Sequence, residues 1–410
     1  MCGFLALMPF LLSAGQATGE EVTPARVVVL PAAEREAWEA YLARSHDFAA
    51  KMEADLAAEV SAAGLPQAIR APDGGDFRPP EDADRGWFAS DEGVRLISSV
   101  LSFQSPAGGW SKHLGYGAGP RVPGMQWTSQ SAPGKRPHYL ATFDNGATTR
   151  ELQFLADAWL ATQRDDCREA VERGVDFLLA AQYPNGGWPQ VFPLEGSYHD
   201  GITFNDDAMT NVLATLQAVG DGEGGFSCVD EARRERARAA LDRGLACVLK
   251  TQLVVDGVKA AWCAQYDALT LEATAGRAYE PASLGSVESC RLLKFLMTLP
   301  EPSPDLVESI ERGLAWLESS KLQGLKRVRE EKRTVYIADP ASEETYWARF
   351  YDLETGDAFF PGKDGGIYES FEALAAANDT LGYDYLSTLP GSVIGTGQKK
   401  WRTAMKKSAP

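Results

Sequence analysis

Apolar residues recur at helical spacing along most of this chain. Trp38, Tyr41, Leu42, Phe48, Met52 and Leu56 keep a 3.6-residue period between Ala32 and Gly64, which predicts one long amphipathic helix stopped by Gly64. The same period predicts helices from Ser90 to Phe103, Asp144 to Gln163, Asp165 to Gln182, Asp206 to Val219, Asp230 to Gln252, Ser283 to Leu299 and Pro304 to Lys321. Runs of period two are almost absent before Arg333, so the expected class is all-α. Beyond Lys332 the chain is aromatic and reads as loop, expected to wrap the helices and cover part of the rim on which their equivalent ends meet.

The helices alternate with a recurring turn. Gln104-Ser-Pro-Ala-Gly108-Gly109-Trp110 precedes one acidic helix opening, Asp144-Asn145, and Gln182-Tyr-Pro-Asn-Gly186-Gly187-Trp188 precedes another, Asn205-Asp206-Asp207. A drifted third copy carries Lys259-Ala-Ala-Trp262 and leads to Gly276-Arg277. The three tryptophans lie about seventy-five residues apart, the length of a helical hairpin with a generous loop. Stacked hairpins imply a toroid, with Asp144, Asn145, Asp206 and Arg277 gathered on one rim. Because they recur with the hairpin, Trp110 and Trp188 read as anchors between repeats, whereas Tyr266 and Tyr279 are candidate platforms for a sugar ring.

Composition narrows the partners. At 410 residues and 44% apolar the chain can bury a large core, and its net charge of −17 disfavours nucleic acid. Phe4 to Ala14 resembles a signal peptide without a positive n-region, so a secreted or periplasmic monomer is expected, with no membrane span. Six cysteines show no paired spacing and read as free thiols. The expected layout is a leader over 1–19, an N-terminal helical segment and linker over 20–85, the toroid over 86–392 and a tail over 393–410.

An Asp-Asn pair ahead of a helix has two readings. It caps orphan N–H groups, or it turns oxygens toward a cation. Asp144, Asn145 and Asp206 are hard oxygen donors suited to Ca²⁺ or Mg²⁺, which would bridge to an anionic ligand. A cation beside a substrate carboxylate acidifies the neighbouring C–H, as β-elimination from a uronic acid requires. Lys112 is placed to reach such a substrate, and Arg277 reads as an anion clamp or a surface charge.

Gly-Gly-Trp-Ser-Lys112, Phe-Asp144-Asn145-Gly-Ala-Thr, Phe-Asn205-Asp206-Asp207-Ala-Met, Trp262-Cys-Ala-Gln-Tyr266-Asp, Gly-Arg277-Ala-Tyr-Glu-Pro and Trp-Ala-Arg349-Phe-Tyr-Asp together resemble the pectate lyases of polysaccharide lyase family ten. The resemblance spans about residues 90 to 390. It implies an (α/α)₃ toroid and Ca²⁺-dependent cleavage of polygalacturonate by anti-β-elimination. It also implies Asp144, Asn145 and Asp206 as calcium ligands, Arg277 as the base and Arg349 as a holder of substrate carboxylates. For Arg277 to act as a base its charged form must be disfavoured, an effect expected from the calcium ion and a lysine nearby. One departure is Gly362-Lys363-Asp364-Gly365, where the family is expected to carry arginine; Lys363 keeps the charge and loses the bidentate fork. Two other readings remain, a terpene-cyclase-like toroid and a non-catalytic uronan-binding module.

Overall fold

The protein is described from a computed structural model covering residues 19–81, 83–130, 138–277, 279–330 and 334–408. The leader Phe4–Ala14, Cys2, Lys135, Arg136 and Arg333 lie outside the described residues.

The periodic segments fold as helices close to their expected bounds. They are α1 (Ala32–Ala62), α2 (Asp91–Ser102), α3 (Thr149–Thr162), α4 (Asp165–Ala181), α5 (Ala208–Asp221), α6 (Glu231–Thr251), α7 (Ser286–Leu296) and α8 (Pro304–Ser319). Ser90 starts α2 as a true cap, its hydroxyl accepting from the Gly93 N–H. Helices α3, α5 and α7 pack in one row, and α2, α4, α6 and α8 in a second row against it. The long helix α1 docks on this body. Tyr41 donates to the Ala181 carbonyl at 3.1 Å, and the Trp38 ring lies 5.0 Å from Tyr183.

The repeated turn is built the same way each time. The side-chain amide of Gln104 donates to the carbonyls of Gly108 and Ala170, that of Gln182 to Gly186 and Ala240, and that of Gln252 to Ala260 and Ser309. Each glutamine therefore ties its own turn to the next helix in the second row. The indole N–H of Trp110, Trp188 and Trp262 donates to Val100, Leu178 and Val248, in the last turn of the preceding helix. Fully buried indoles with a satisfied N–H are packing anchors. Gly186 is required here: its φ is +98°, and a Cβ would meet the Arg243 carbonyl oxygen at 2.2 Å.

Two expectations need correction. The segment after Lys332 is not wholly loop. Ile367–Tyr368, Ala358–Pro361, Phe350–Tyr351 and Leu284–Gly285 form an antiparallel four-stranded sheet in that order, and Leu325–Arg329 pairs with Thr334–Ala338. The aromatic runs suit a pleated, buried surface, but most of these strands are too short to show a period. The molecule is thus mainly helical with small sheets rather than wholly helical. Within the expected tail, Gln398–Ser408 forms a further helix whose Trp401 is buried in the core.

Candidate active site

Two short turns carry the acidic openings to the rim. Asp144–Gly146 and Asn205–Asp207 are single 3₁₀ turns placed before α3 and α5, and the two turns touch each other. Neither opening caps its helix: no side-chain cap bond is made at Phe143, Thr148, Phe204 or Asp207. The capping reading is therefore excluded by geometry. Asn145 and Asp206 instead take left-handed backbone, with φ of 55° and 50°. Such positions are costly for residues other than glycine and cluster at functional sites.

Both turns face a cavity of roughly 300 Å³, into which Lys112, Asp144, Asn145, Asp206, Arg277 and Arg349 all open. Asp144, Asn145, Asp206 and Arg277 thus meet in one place, as the repeat implies. Lys112 Nζ lies 2.5 Å from Asp144 Oδ2 and 3.8 Å above the Tyr139 ring. Arg349 donates to Glu288 at 2.5 Å and to Asn205 at 2.9 Å, with its guanidinium over the Tyr383 ring.

The Arg277 surroundings differ from expectation. Its Nη2 donates to Glu280 at 2.5 Å and to the Tyr383 hydroxyl at 2.8 Å. The Glu280 carboxylate, not a cation, is its nearest charge, and that hydrogen bond raises the Arg277 pKa above its ordinary value. Lys112, the lysine that lines the cavity, is paired to Asp144.

Three of the five expected substrate contacts, Lys112, Tyr279 and Arg349, lie at or beside the cavity. The Arg277 guanidinium sits 4.9 Å from the centre of the Tyr279 ring. Tyr266 does not belong with them. It is fully buried against Phe204, its oxygen accepting from the Cys263 N–H, so it is a core residue and presents no face to a sugar. Lys363 is exposed and does not line the cavity, although its side chain and the Tyr279 ring both approach Gly382. Sequence reasoning missed Tyr139, Tyr198, Glu280 and Tyr383 as parts of the site. Only Glu280 carried a signal, lying three residues after Arg277.

The donor set can be tested for a cation. Among the described residues no three His, Cys, Asp or Glu side chains form a ready-made metal cluster. What the site offers is two carboxylates and an amide. Asp144 Oδ1 is buried without a hydrogen-bond partner. Burial, and then the Asp144 charge, push the Asp206 carboxyl up to about 6. Two carboxylates that repel each other, one with an unused buried oxygen, are the surroundings a hard cation relieves. The residues fit Ca²⁺ with its remaining positions left to water or substrate.

Near the site, burial lifts Glu151 on α3 to about 7, although Tyr116 donates to it at 3.0 Å. The folded value lies above the ordinary 4.5, so this group's contribution to stability is complete below pH 4.5 and lost as pH rises to about 7. The loss amounts to about 3 kcal/mol. Glu151→Gln keeps an acceptor for Tyr116 and does not titrate. Its melting temperature should exceed that of the wild type at pH 8 and approach it at pH 5; parallel curves would show that Glu151 ionises freely.

Comparison with known proteins follows the geometry. The pectic acid lyase family model matches residues 104–394. A family 10 polysaccharide lyase from Cellvibrio cellulosa, solved as an aspartate-to-alanine mutant in complex with trigalacturonic acid, is 32% identical with a TM-score of 0.65. That likeness covers 74% of this chain and 92% of the other. A second structure of the family 10 lyase from that organism is also 32% identical, with a TM-score of 0.64 over 74% of this chain and 91% of its own. No curated protein matches the chain.

Proposed function

Because this chain belongs to the pectic acid lyase family, we propose that it cleaves polygalacturonate by Ca²⁺-dependent anti-β-elimination, leaving 4,5-unsaturated oligogalacturonides. The observation that carries the proposal is the meeting of two acidic openings with Arg277 and Arg349 around one cavity. In this reading the two rows of helices are the arc of an (α/α)₃ toroid, and the protein acts outside the cytoplasm. No helix among the described residues is long and apolar enough to cross a membrane. The family match removes the terpene-cyclase alternative.

Asp144, Asn145 and Asp206 would hold the ion. Bound Ca²⁺ neutralises a substrate carboxylate and makes the adjacent C5 proton more acidic. Arg349 and Lys112 orient the anionic chain, Lys112 by exchanging its contact with Asp144 for one with substrate. Tyr279 gives a sugar a flat apolar face beside Arg277. Arg277 accepts the C5 proton in its neutral form, which it reaches by leaving Glu280 and giving up one proton to solvent, because a guanidinium held by a carboxylate stays protonated. The electrons of the broken C5–H bond form the C4–C5 double bond as the C4–oxygen bond breaks, and the leaving oxygen departs with that bond's electron pair and takes a proton from water.

Product chemistry tests this reading. Incubation with polygalacturonate should give rising ultraviolet absorbance and fragments with an unsaturated non-reducing end. Saturated ends would mean hydrolysis and would overturn the elimination.

A further inference from the structure

We infer that Asp76, from the N-terminal segment, positions the Asn145 amide for the cation; this rests on the calcium reading above. Asp76 lies outside the residues matched by the family model. Its Oδ1 accepts from Asn145 Nδ2 at 3.2 Å and lies 3.0 Å from His113 Nε2.

A carboxamide has one end that can ligate a metal and one that cannot. Turned the wrong way, Asn145 would present N–H groups to the ion and repel it. Holding Nδ2 on Asp76 fixes the amide plane and leaves Oδ1 for the cation. Metal ligands are commonly oriented by such outer partners. Left-handed backbone at Asn145 already sets the direction of its Cβ, so the remaining freedom is rotation of the side chain.

Asp76 is itself well anchored. The Gly115 N–H donates to Pro72 at 2.8 Å and the Gly74 N–H to His113 at 3.0 Å, which ties the segment to the strand-like stretch after Lys112. A Cβ on Gly74 would meet Gly115 Cα at 2.6 Å, so the two backbones touch. Phe77 packs edge-on against Tyr116 and Phe154, and Arg150 donates to its carbonyl. Asp76 and Phe77 line a small recess that shares Lys112, His113 and Asn145 with the cavity, and the family-matched segment alone lacks the group that orients one proposed ligand.

Calcium titration calorimetry on the full chain tests this without an activity readout. Asp76→Ala should weaken calcium about tenfold or more, and Asp76→Asn, which keeps a carbonyl acceptor, much less. Turnover at saturating calcium should be regained in both. In an Asn145→Ala background, Asp76→Ala should cost nothing further. Equal costs in both backgrounds, or unchanged affinity in Asp76→Ala, would overturn the inference. The calcium reading has its own control in the same titration: if Asp144→Ala binds calcium like the wild type, that reading fails whatever Asp76 does.

Discussion

Arg277→Lys is expected to lower turnover by about three orders of magnitude, within the range lost with a positioned general base, while oligogalacturonate binding weakens far less. Lysine keeps a positive charge near Glu280 but moves the nitrogen that bonds both Glu280 and the Tyr383 hydroxyl and loses the planar guanidinium. If Arg277 is the base, the ion pair with Glu280 opposes its function, because it favours the protonated form. A raised pKa means that the neutral fraction grows with every pH unit and does not saturate in the accessible range. The rate should therefore climb toward alkaline pH without a plateau from this group. A clamp behaves differently: the lysine variant would then show a higher KM with turnover preserved, and another group would remove the proton. Steady-state kinetics across pH distinguish the two.

Asp144→Ala and Asp206→Ala should each weaken calcium more than about a hundredfold, beyond the usual loss of an outer-shell partner, and remove calcium-dependent activity. Helical content should persist, since neither residue caps α3 or α5. The two variants should still differ in stability. Asp144 neutralises the nearly buried Lys112, so its removal takes away that ammonium's carboxylate and leaves it against the Tyr139 ring. Asp206 is itself penalised by burial and by Asp144, so Asp206→Ala should melt at or above the wild-type temperature without calcium. Circular dichroism and melting curves check both; loss of helix in both variants would make the acidic openings structural.

Much of this was legible in the sequence because the fold repeats. Helical period and the Gln-x-x-x-Gly-x-Trp turns place α2 to α8 and bring the acidic openings together. The turn chemistry is local, one amide and one indole each time, and so survives as a readable motif. A fourth copy has lost its glutamine and glycine: Trp347 donates to Leu317 in the last turn of α8, as the other tryptophans do on their helices. Nothing in its sequence marks it except the indole. Tyr266 misled because a tyrosine beside a site residue has the same sequence signature whether it faces sugar or core. Asp76, Glu280 and Tyr383 act through side-chain contacts to residues set by tertiary packing, and no periodicity encodes such contacts. The left-handed backbone that aims Asn145 and Asp206 is likewise invisible in an Asp-Asn pair.

The central claim is that the gathered oxygens hold a calcium ion on which elimination depends. The most direct test follows unsaturated product from polygalacturonate with the wild-type protein after chelation and then during back-titration with Ca²⁺. Activity that vanishes on chelation and returns with a single binding isotherm, matching the calorimetric calcium affinity, is the predicted result. Elimination that continues at full rate in excess chelator would contradict it.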